Sequence, residues 1–392
     1  MAEKIRLGVI GIGNQGGNYL KSYAAGNLPE IELTCVADID PRRFDNAREK
    51  VPGVVCFNTA DELLASGLCE AVVIATPHYF HPPIAIAAMK AGLHVMSEKP
   101  AGVYTKQVKE AIAFSKTTDR TYAIMFNQRT NPVFRKVREL VKSGKYGELR
   151  RVCWVITDWY RTQSYYNSGS WRATWEGEGG GVMLNQCPHQ LDLWQWICGM
   201  PNKVRAFCHV GKWHDIEVED DVTIYVEYPN GATGTFITST GDWPGSNRLE
   251  ITMEKARIVC EYDAMAKKWG IRLCELNKGL QEFTQTAPGG FDKPVGEWTE
   301  FGGEPPANMH EEVINRFAAH ILHGTPLMAE GEEGLNGLTI SNAAFLSSWL
   351  DKTVEIPFDD ELYYNMLMEK VKNSNYKKTV VEQTQEDMSS TF

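Results

Sequence analysis

A glycine-rich turn between a predicted strand and a predicted helix constrains the fold more than any other feature of the sequence. The apolar run at residues 5–10 predicts a buried strand, and the hexad G-I-G-N-Q-G follows it directly, ahead of a helical pattern that includes Tyr19 and Leu20. Its glycines permit a tight turn, and the N–H groups that start the helix can bind a pyrophosphate. We therefore expect dinucleotide contacts from Gly11, Gly13, Asn14, Gln15 and Gly16.

The end of the second predicted strand indicates which dinucleotide binds. Residues 31–37 predict a strand that leads to Asp38, where a carboxylate can accept hydrogen bonds from an adenosine ribose. Since that carboxylate would repel a 2′-phosphate, we predict NAD rather than NADP. Arg42 and Arg43 lie nearby and are the opposing observation, although they suit the first turn of a solvated helix equally well.

Further apolar runs alternate with helical patterns through the first third of the chain. Parallel strands with right-handed helical crossovers form a doubly wound sheet, so we predict an α/β Rossmann domain over residues 1–126. Ligands of such sheets bind at the carboxyl ends of the strands. The candidates that follow strand ends are Thr76, Pro77 and His78, then Glu98, Lys99 and Pro100, then Asn127, Gln128 and Arg129.

Lys99 is the most informative of these candidates. A lysine at the tip of a buried strand beside a positively charged nicotinamide would be partly desolvated and close to a cation, and both effects lower its pKa towards a value useful for proton transfer. The alternative is a surface lysine paired with Glu98, and spacing alone does not separate the two.

Composition narrows the class of partner. The chain has 392 residues, 43% of them hydrophobic and 23% charged, which is enough for two globular domains. A net charge of −10 gives no general attraction to nucleic acid or anionic lipid, and no apolar run approaches the ~20 residues of a membrane span. Nine cysteines with no C-x-x-C pair suggest reduced thiols. We expect a cytoplasmic protein whose partner is a small molecule.

The rest of the chain predicts a second domain over residues 127–370 and a polar tail over 371–392. Strands with period-two alternation at 222–228 and 233–240 flank Asn230-Gly231, which is typical of an antiparallel hairpin. We predict an α+β domain with an open, mostly antiparallel sheet.

An aromatic and polar loop precedes the hairpin. Aromatic rings beside acids, amides and hydroxyls suit a carbohydrate, although a packed aromatic core or a subunit interface are alternatives. The candidate substrate-binding residues of this loop are Asp158, Tyr160, Arg161 and Tyr165.

A polar stretch follows three glycines at 179–181. If it is helical, Asn185, His189 and Asp192 fall at i, i+4 and i+7 and share one face, which would direct three polar side chains at a common ligand.

Several of these segments together resemble one known family. The glycine hexad, Ala75-Thr76-Pro77 with His81, Glu98-Lys99-Pro100, Trp171-Arg172, and the three glycines followed by His189 and Leu191-Asp192 resemble the glucose-fructose oxidoreductase, inositol dehydrogenase and MocA (Gfo/Idh/MocA) family of NAD(P)-dependent sugar and polyol oxidoreductases. The resemblance implies a catalytic Lys99 with His189 as its partner, no metal, and a homo-oligomer. It also implies a cofactor site lined by Thr76, Pro77, His81, Glu98, Trp171 and Arg172.

Asn185 departs from the family pattern, in which many members have an aspartate four residues before the histidine. An amide can orient a hydroxyl but cannot act as a base near neutral pH, so proton transfer would rest on Lys99 and His189, with Asn185 and Asp192 orienting the substrate and the imidazole. Two metal-like spacings, His78 with His81 and His320 with His323, have no third ligand nearby in sequence.

The loop that ends at Trp171-Arg172 and residues 185–192 look most like members that oxidise carbon 3 of glucosides, including plant C-glucosides taken up by gut bacteria. The prediction is therefore an NAD-dependent oxidoreductase acting on a ring hydroxyl of a sugar or glycoside. Two alternatives remain open at this point: a redox-assisted glycosidase that uses transiently reduced NAD, and a non-enzymatic NAD-binding sensor.

Overall fold

The first sheet of the protein is parallel throughout. The computed structural model describes residues 3–303 and 308–381, and its first sheet has the strand order β3-β2-β1-β4-β5-β6. These strands are β1 (Ile5–Ile10), β2 (Ile31–Ala37), β3 (Val55–Phe57), β4 (Ala71–Ile74), β5 (His94–Ser97) and β6 (Tyr122–Ile124). The helices between them are α1 (Asn14–Ala24), α2 (Phe44–Lys50), α3 (Ala60–Ala65), α4 (His81–Lys90) and α5 (Thr105–Ser115). The predicted Rossmann architecture is confirmed.

The glycine hexad forms the turn between β1 and α1. Gly11 has a φ of +86°, and a Cβ on Gly16 would lie 1.9 Å from the Gly11 carbonyl oxygen. Any larger residue at 16 would therefore force the helix away from the turn. The glycines hold the start of α1 close to the end of β1, as dinucleotide binding requires.

The second sheet has nine strands in the order β14-β13-β12-β11-β7-β10-β9-β8-β15. Only β7 and β10 pair in parallel among its described strands, so the predicted mostly antiparallel sheet is confirmed. The strands are β7 (Leu149–Ile156), β8 (Lys203–Val210), β9 (Glu219–Glu227), β10 (Thr233–Ser239), β11 (Asn247–Met253), β12 (Ala256–Asp263), β13 (Lys268–Leu276), β14 (Gly296–Gly303) and β15 (Val354–Glu355).

The helices that follow β6 are α6 (Pro132–Lys142), α7 (Gln163–Asn167), α8 (Pro188–Cys198), α9 (Leu280–Thr286), α10 (Met309–His323), α11 (Gly334–Leu350) and α12 (Asp360–Asn373). Of these, α6, α8 and α11 pack against strands of the second sheet. The buried Trp194 of α8 stacks on Phe236 of β10 with ring centroids 5.2 Å apart, and Trp154 of β7 packs edge-on against the same phenylalanine. This aromatic cluster holds the start of α8 at a fixed place on the sheet.

One helix of the second half returns to the first sheet. Val313, Ile314 and Phe317 of α10 are fully buried in a cluster with Ile5 and Leu7 of β1. The predicted domain boundary at residue 126 stays a prediction. The position of α10 shows that a distant part of the chain completes the core of the Rossmann domain.

Two segments without a predicted structure take a definite form where they are described. In the proline- and glycine-rich stretch 287–307, β14 pairs with β13, while residues 304–307 lie outside the described part. In the tail, α12 ends at Asn373 and the chain continues along the second domain to Val381, whose N–H donates to the Asn167 carbonyl (3.0 Å), whereas residues 382–392 lie outside the described part.

No helix within 3–303 or 308–381 is long and apolar enough to cross a membrane. All nine cysteines are free thiols.

Candidate active site

Asp38 lies against the glycine turn. Its Oδ2 accepts from the Ile12 N–H (2.8 Å) and from Arg43 Nη1 (3.0 Å), and the residue is only 7% exposed. Arg42 turns away and donates to both carboxylate oxygens of Asp40 (2.9 and 3.0 Å). The carboxylate thus lies directly at the glycine turn, and of the two arginines only Arg43 contacts it.

The loops after β4, β5 and β6 converge at one edge of the first sheet. His81 bridges two of them, because Nδ1 contacts the Pro100 carbonyl (2.8 Å) and Nε2 contacts the Thr76 carbonyl (2.7 Å). With both ring nitrogens engaged by the backbone, His81 holds the loops rather than offering a nitrogen to a ligand. Thr76 and Pro77 lead into a 3-10 turn that begins at His78.

Three buried polar atoms at this edge have no partner. They are Thr76 Oγ1, His78 Nδ1 and Asn127 Oδ1. Buried polar atoms are normally hydrogen-bonded, and an orphaned group is a candidate for a ligand contact. Three of them along one edge, beside the glycine turn, fit a site whose ligand is a dinucleotide.

Lys99 follows β5 and extends towards the second domain. Its Nζ donates to the Asn185 carbonyl (3.0 Å), and burial lowers the pKa of its ammonium, with Glu98 acting in the opposite direction. The Glu98 carboxylate instead accepts from the Tyr19 hydroxyl and from the Lys99 backbone N–H (3.1 Å). The alternative of an exposed Lys99–Glu98 surface pair is therefore wrong.

His189 lies beside Lys99 in the first turn of α8. It is 3% exposed, and neither ring nitrogen has a hydrogen-bond partner. Burial lowers the pKa of the imidazole well below its usual value, and the charge of Lys99 lowers it further. His189 is consequently neutral at physiological pH and has both a donor and an acceptor nitrogen available.

The predicted continuous helix through residues 185–192 is wrong. α8 begins at Pro188, since proline is suited to the first turn of a helix, and Asn185 lies in the turn before it. Asn185, His189 and Asp192 therefore do not share a helical face.

Asp192 does not orient the substrate or the imidazole. Its carboxylate accepts from Arg129 Nε (2.8 Å) and Nη2 (2.7 Å), and Arg129 Nη1 also donates to Glu333 (2.5 Å). Both side chains of the Arg129–Asp192 pair are 1% exposed. This pair joins the turn after β6 to α8, and the two side chains are occupied by these contacts, so Arg129 is likewise structural. We refer to the region between Lys99, His189 and the aromatic loop as the cleft.

The aromatic loop forms the second-domain side of the cleft. The Tyr165 hydroxyl accepts from Arg172 Nη1 (2.8 Å) and Gln186 Nε2 (3.0 Å) and donates to Asn185 Oδ1 (3.4 Å). The Arg172 guanidinium also lies over the Tyr165 ring, 4.6 Å from its centroid. Trp171 packs edge-on against His78, with ring centroids 5.4 Å apart. The loop therefore reaches the edge of the first sheet where the loops after β4, β5 and β6 converge, which we call the cofactor edge.

The same loop carries further buried atoms without partners. Asp158 Oδ1, Trp159 Nε1 and Arg161 Nε are all unpaired, as is Gln186 Oε1. Tyr160 is exposed and packs against the exposed Trp243 with ring centroids 6.1 Å apart. Of these residues, Arg161 lies close enough to Lys99 for its charge to add to the effect of burial in lowering the pKa of that lysine, while the Tyr160–Trp243 pair is exposed.

Three residues near the cleft were missed by the sequence reasoning. His310 at the start of α10 contacts Asn127 (Nδ1 to Nδ2, 3.2 Å), and burial lowers its pKa to about 4. Glu178 accepts from the Asn185 side chain, and Glu219 accepts from the Gly181 and Met183 N–H groups (2.7 and 3.0 Å). Only the position of Glu178 just before the three glycines was a usable signal, because the other two come from distant segments.

The second metal-like pair, His320 and His323, has other partners. His320 Nδ1 contacts the Thr325 carbonyl (2.7 Å), and His323 Nε2 contacts Glu30 (2.8 Å). Within 3–303 and 308–381, no group of three or more histidine, cysteine, aspartate and glutamate side chains could hold a metal ion.

Two segments of the chain match known protein families. Residues 5–126 match the family described as "Oxidoreductase family, NAD-binding Rossmann fold", and residues 134–259 match "GFO/IDH/MocA C-terminal domain". Both matches agree with the observed fold and cover the residues around Lys99 and His189.

Individual relatives share less than a third of their aligned residues with the chain. The chain is 28% identical over 200 residues to an inositol 2-dehydrogenase of Corynebacterium glutamicum, an alignment that covers 51% of this chain and 56% of that protein. The chain thus spans little more than half the length of that relative. A myo-inositol 2-dehydrogenase of Thermotoga maritima is 23% identical over 351 residues, which cover 87% of this chain and 95% of that protein.

A solved structure resembles the whole fold. The crystal structure of the WlbA dehydrogenase from Bordetella pertussis in complex with NADH and UDP-GlcNAcA matches with a TM-score of 0.75 at 25% identity, over 91% of this chain and 100% of that chain. The chain belongs to the Gfo/Idh/MocA oxidoreductase family, and its N-terminal domain is the NAD-binding Rossmann domain of that family.

Proposed function

We propose that the protein is an NAD-dependent dehydrogenase that oxidises a ring hydroxyl, at carbon 3, of a sugar or glycoside. The observation that carries the proposal is the set of unpartnered buried polar atoms in both domains, which includes both ring nitrogens of His189, the residue beside Lys99. Such atoms are costly to bury unless a ligand pairs with them.

The cofactor proposal rests on residues of the first domain and of the loop that reaches it. The glycine turn would hold the pyrophosphate, Asp38 the adenosine ribose, and the nicotinamide end would meet Thr76, Pro77, His78, Asn127, Trp171 and Arg172. Glu98 and His81 act behind this surface, since their side chains bind Tyr19 and two backbone carbonyls. When bound, NAD supplies the acceptor for a hydride.

Lys99 and His189 would handle the proton of the reacting hydroxyl. Burial lowers the pKa of Lys99, which favours the neutral amine, the form that can accept that proton. The neutral His189 imidazole offers an unpaired nitrogen that can hold the same hydroxyl in place. Asn185 would orient the substrate without exchanging a proton, because an amide does not titrate in this range.

The aromatic loop supports a carbohydrate as the substrate. Asp158, Arg161 and Tyr165 offer a carboxylate, a guanidinium and a hydroxyl next to the rings of Trp159 and Tyr160. This combination matches the alternating C–H and hydroxyl surface of a sugar ring. The relatives named as inositol dehydrogenases and the neighbour bound to a nucleotide sugar agree with this substrate class.

The outer face of the second sheet supports a homo-oligomer. Phe207 of β8 and Tyr225 of β9 are exposed large side chains on this face, and Trp298 of β14 is exposed at its far end. A second copy of the chain would cover these exposed aromatic side chains. We place the protein in the cytoplasm, in agreement with its nine free thiols.

A panel assay tests the function. The protein is incubated with NAD and a series of sugars and glycosides while the absorbance of the reduced nicotinamide is followed. Turnover should fall by about 10²-fold or more in Lys99→Ala, as expected for loss of the acid–base group, whereas Lys293→Ala, at an exposed site, should retain it.

Each other outcome identifies an alternative. Full turnover in Lys99→Ala would refute the proposed chemistry. Release of an aglycone without accumulation of reduced NAD would identify a redox-assisted glycosidase, and tight NAD binding with no turnover on any sugar would identify a sensor. The juxtaposition of Lys99 with His189 favours catalysis over the sensor.

A further inference from the structure

We propose that Glu178 is a positioning residue that fixes the side-chain amide of Asn185 with its oxygen towards the substrate. Glu178 would thereby provide, from a different position in the chain, the negative charge that many family members carry at residue 185. This inference rests on the proposed dehydrogenase function, and it concerns how one substrate hydroxyl is recognised.

The Glu178 carboxylate is buried and held at both oxygens. It is 1% exposed, Oε1 accepts from Asn185 Nδ2, and Oε2 accepts from the Ala173 N–H (2.6 Å). The next residue is closely packed, because Gly179 has a φ of +77° and a Cβ there would lie 2.1 Å from a Val103 methyl carbon. The carboxylate is therefore fixed relative to Asn185.

Two cations lie near this carboxylate. Burial raises the pKa of Glu178, and the charges of Arg172 and Lys378 oppose that effect in part. Lys378 Nζ donates to the Arg172 carbonyl (2.5 Å), and it is brought there by the chain segment after α12. These two charges compensate a buried carboxylate that would otherwise be costly.

The chemistry of the pair determines which atom of Asn185 faces the cleft. Glu178 Oε1 accepts from Asn185 Nδ2, so the amide turns its NH2 group towards Glu178. Asn185 Oδ1 then accepts from the Tyr165 hydroxyl (3.4 Å) and keeps a second lone pair for another donor. A substrate hydroxyl that reaches Asn185 should therefore donate to Oδ1.

Replacing either residue alone should disturb this arrangement. In Glu178→Gln, the glutamine oxygen must accept from the Ala173 N–H, so its NH2 group meets Asn185 and turns the asparagine amide over. In Asn185→Asp, two carboxylates are in contact and repel each other. Loss of a charged hydrogen bond predicts that each single variant lowers kcat/KM for the sugar about tenfold or more, mainly through KM.

Exchanging the two functional groups between residues 178 and 185 should restore the hydrogen-bonded arrangement. In Glu178→Gln with Asn185→Asp, the glutamine NH2 donates to one oxygen of the new carboxylate, and the other oxygen faces the cleft as an acceptor. We expect kcat/KM for the sugar to recover to within about threefold of the wild-type value, since the two changes are coupled. The dissociation constant of NAD should be the same in all four proteins.

A control of equal net charge separates orientation from charge. Glu139 is exposed and pairs with Lys136 on the surface (2.9 Å), so Glu139→Gln with Asn185→Asp has the same net charge as the exchanged pair. This control should be as impaired as Asn185→Asp alone. Recovery in the control, or no recovery in the exchanged pair, would overturn the proposal.

The pair can also be tested without turnover. Denaturant unfolding of the two single variants and the exchanged pair should show that the two substitutions are not additive, with the exchanged pair more stable than either single variant. Failure of the wild-type protein to oxidise any sugar would remove the proposed function and leave this unfolding comparison intact. Additive unfolding effects would overturn the assignment of Glu178 whatever the activity.

Discussion

Substitution of Asp192 by asparagine tests whether that residue supports the fold or the chemistry. Asp192 accepts two hydrogen bonds from Arg129 and a third from Gln195 Nε2 (3.0 Å), and neither charged side chain of the pair is exposed. The Arg129 guanidinium is also packed over the rings of Phe126 and Trp196, 5.1 and 5.3 Å from their centroids. Asp192→Asn would leave that guanidinium buried against an NH2 group.

The magnitude follows from the partners that remain. Removing one member of a buried ion pair costs about 3–5 kcal/mol. Because Arg129 keeps the half-exposed Glu333, we expect a loss of about 3 kcal/mol in the free energy of unfolding, at the lower end of that range. The same change in an exposed pair, Asp45→Asn beside Arg48 (3.2 Å), should alter the free energy of unfolding by about 0–1 kcal/mol.

Urea unfolding, followed by tryptophan fluorescence, measures the free energy of unfolding of both variants. Trp196 reports on the Arg129–Asp192 pair because the Arg129 guanidinium packs over its ring. The pH profile of kcat/KM for the sugar should be the same in Asp192→Asn as in the wild-type protein, because Asp192 does not reach the cleft. A shifted profile with an unchanged free energy of unfolding would refute this reasoning and return Asp192 to the substrate site.

Two further predictions concern the cofactor and pH. Asp38→Ser should weaken NAD binding about tenfold and raise the affinity for NADP relative to NAD, since Arg43 is released to face a 2′-phosphate, whereas Asp40→Ser should leave the ratio of the two dissociation constants unchanged. Burial lowers the pKa of His310 to about 4, so the folded state binds fewer protons than the unfolded state between about pH 6.5 and 4, and stability falls as pH falls through this window. His310→Gln should reduce the slope of unfolding free energy against pH there by at most about 1.4 kcal/mol per pH unit, and an unchanged slope would contradict the assigned pKa direction.

Much of the first domain could be predicted because its signals are local. The glycine turn, Asp38 and Lys99 each follow a strand directly, and the geometry of a parallel sheet brings such residues to one edge. The hairpin between β9 and β10 was predictable for the same reason, since Asn230-Gly231 specifies the turn by itself.

The second-domain side of the site could be predicted only in part. Residue spacing places Asn185, His189 and Asp192 on one helical face, but the helix begins at Pro188, and Arg129 from another segment pairs with Asp192. A helical pattern describes periodicity and does not specify the first residue of the helix or which partner meets each side chain.

The sequence by itself determined the dinucleotide fold, the family, and Lys99 with His189 as the residues most suited to proton transfer. The tertiary structure decided which charges meet: Asp192 with Arg129, Glu178 with Asn185, and His310 with the cofactor edge. The physical reason is distance along the chain. Backbone conformation and strand ends depend on neighbouring residues, whereas the partner of a buried charge depends on how separate segments pack, and α10 and the segment after α12 reach the site only in the folded protein.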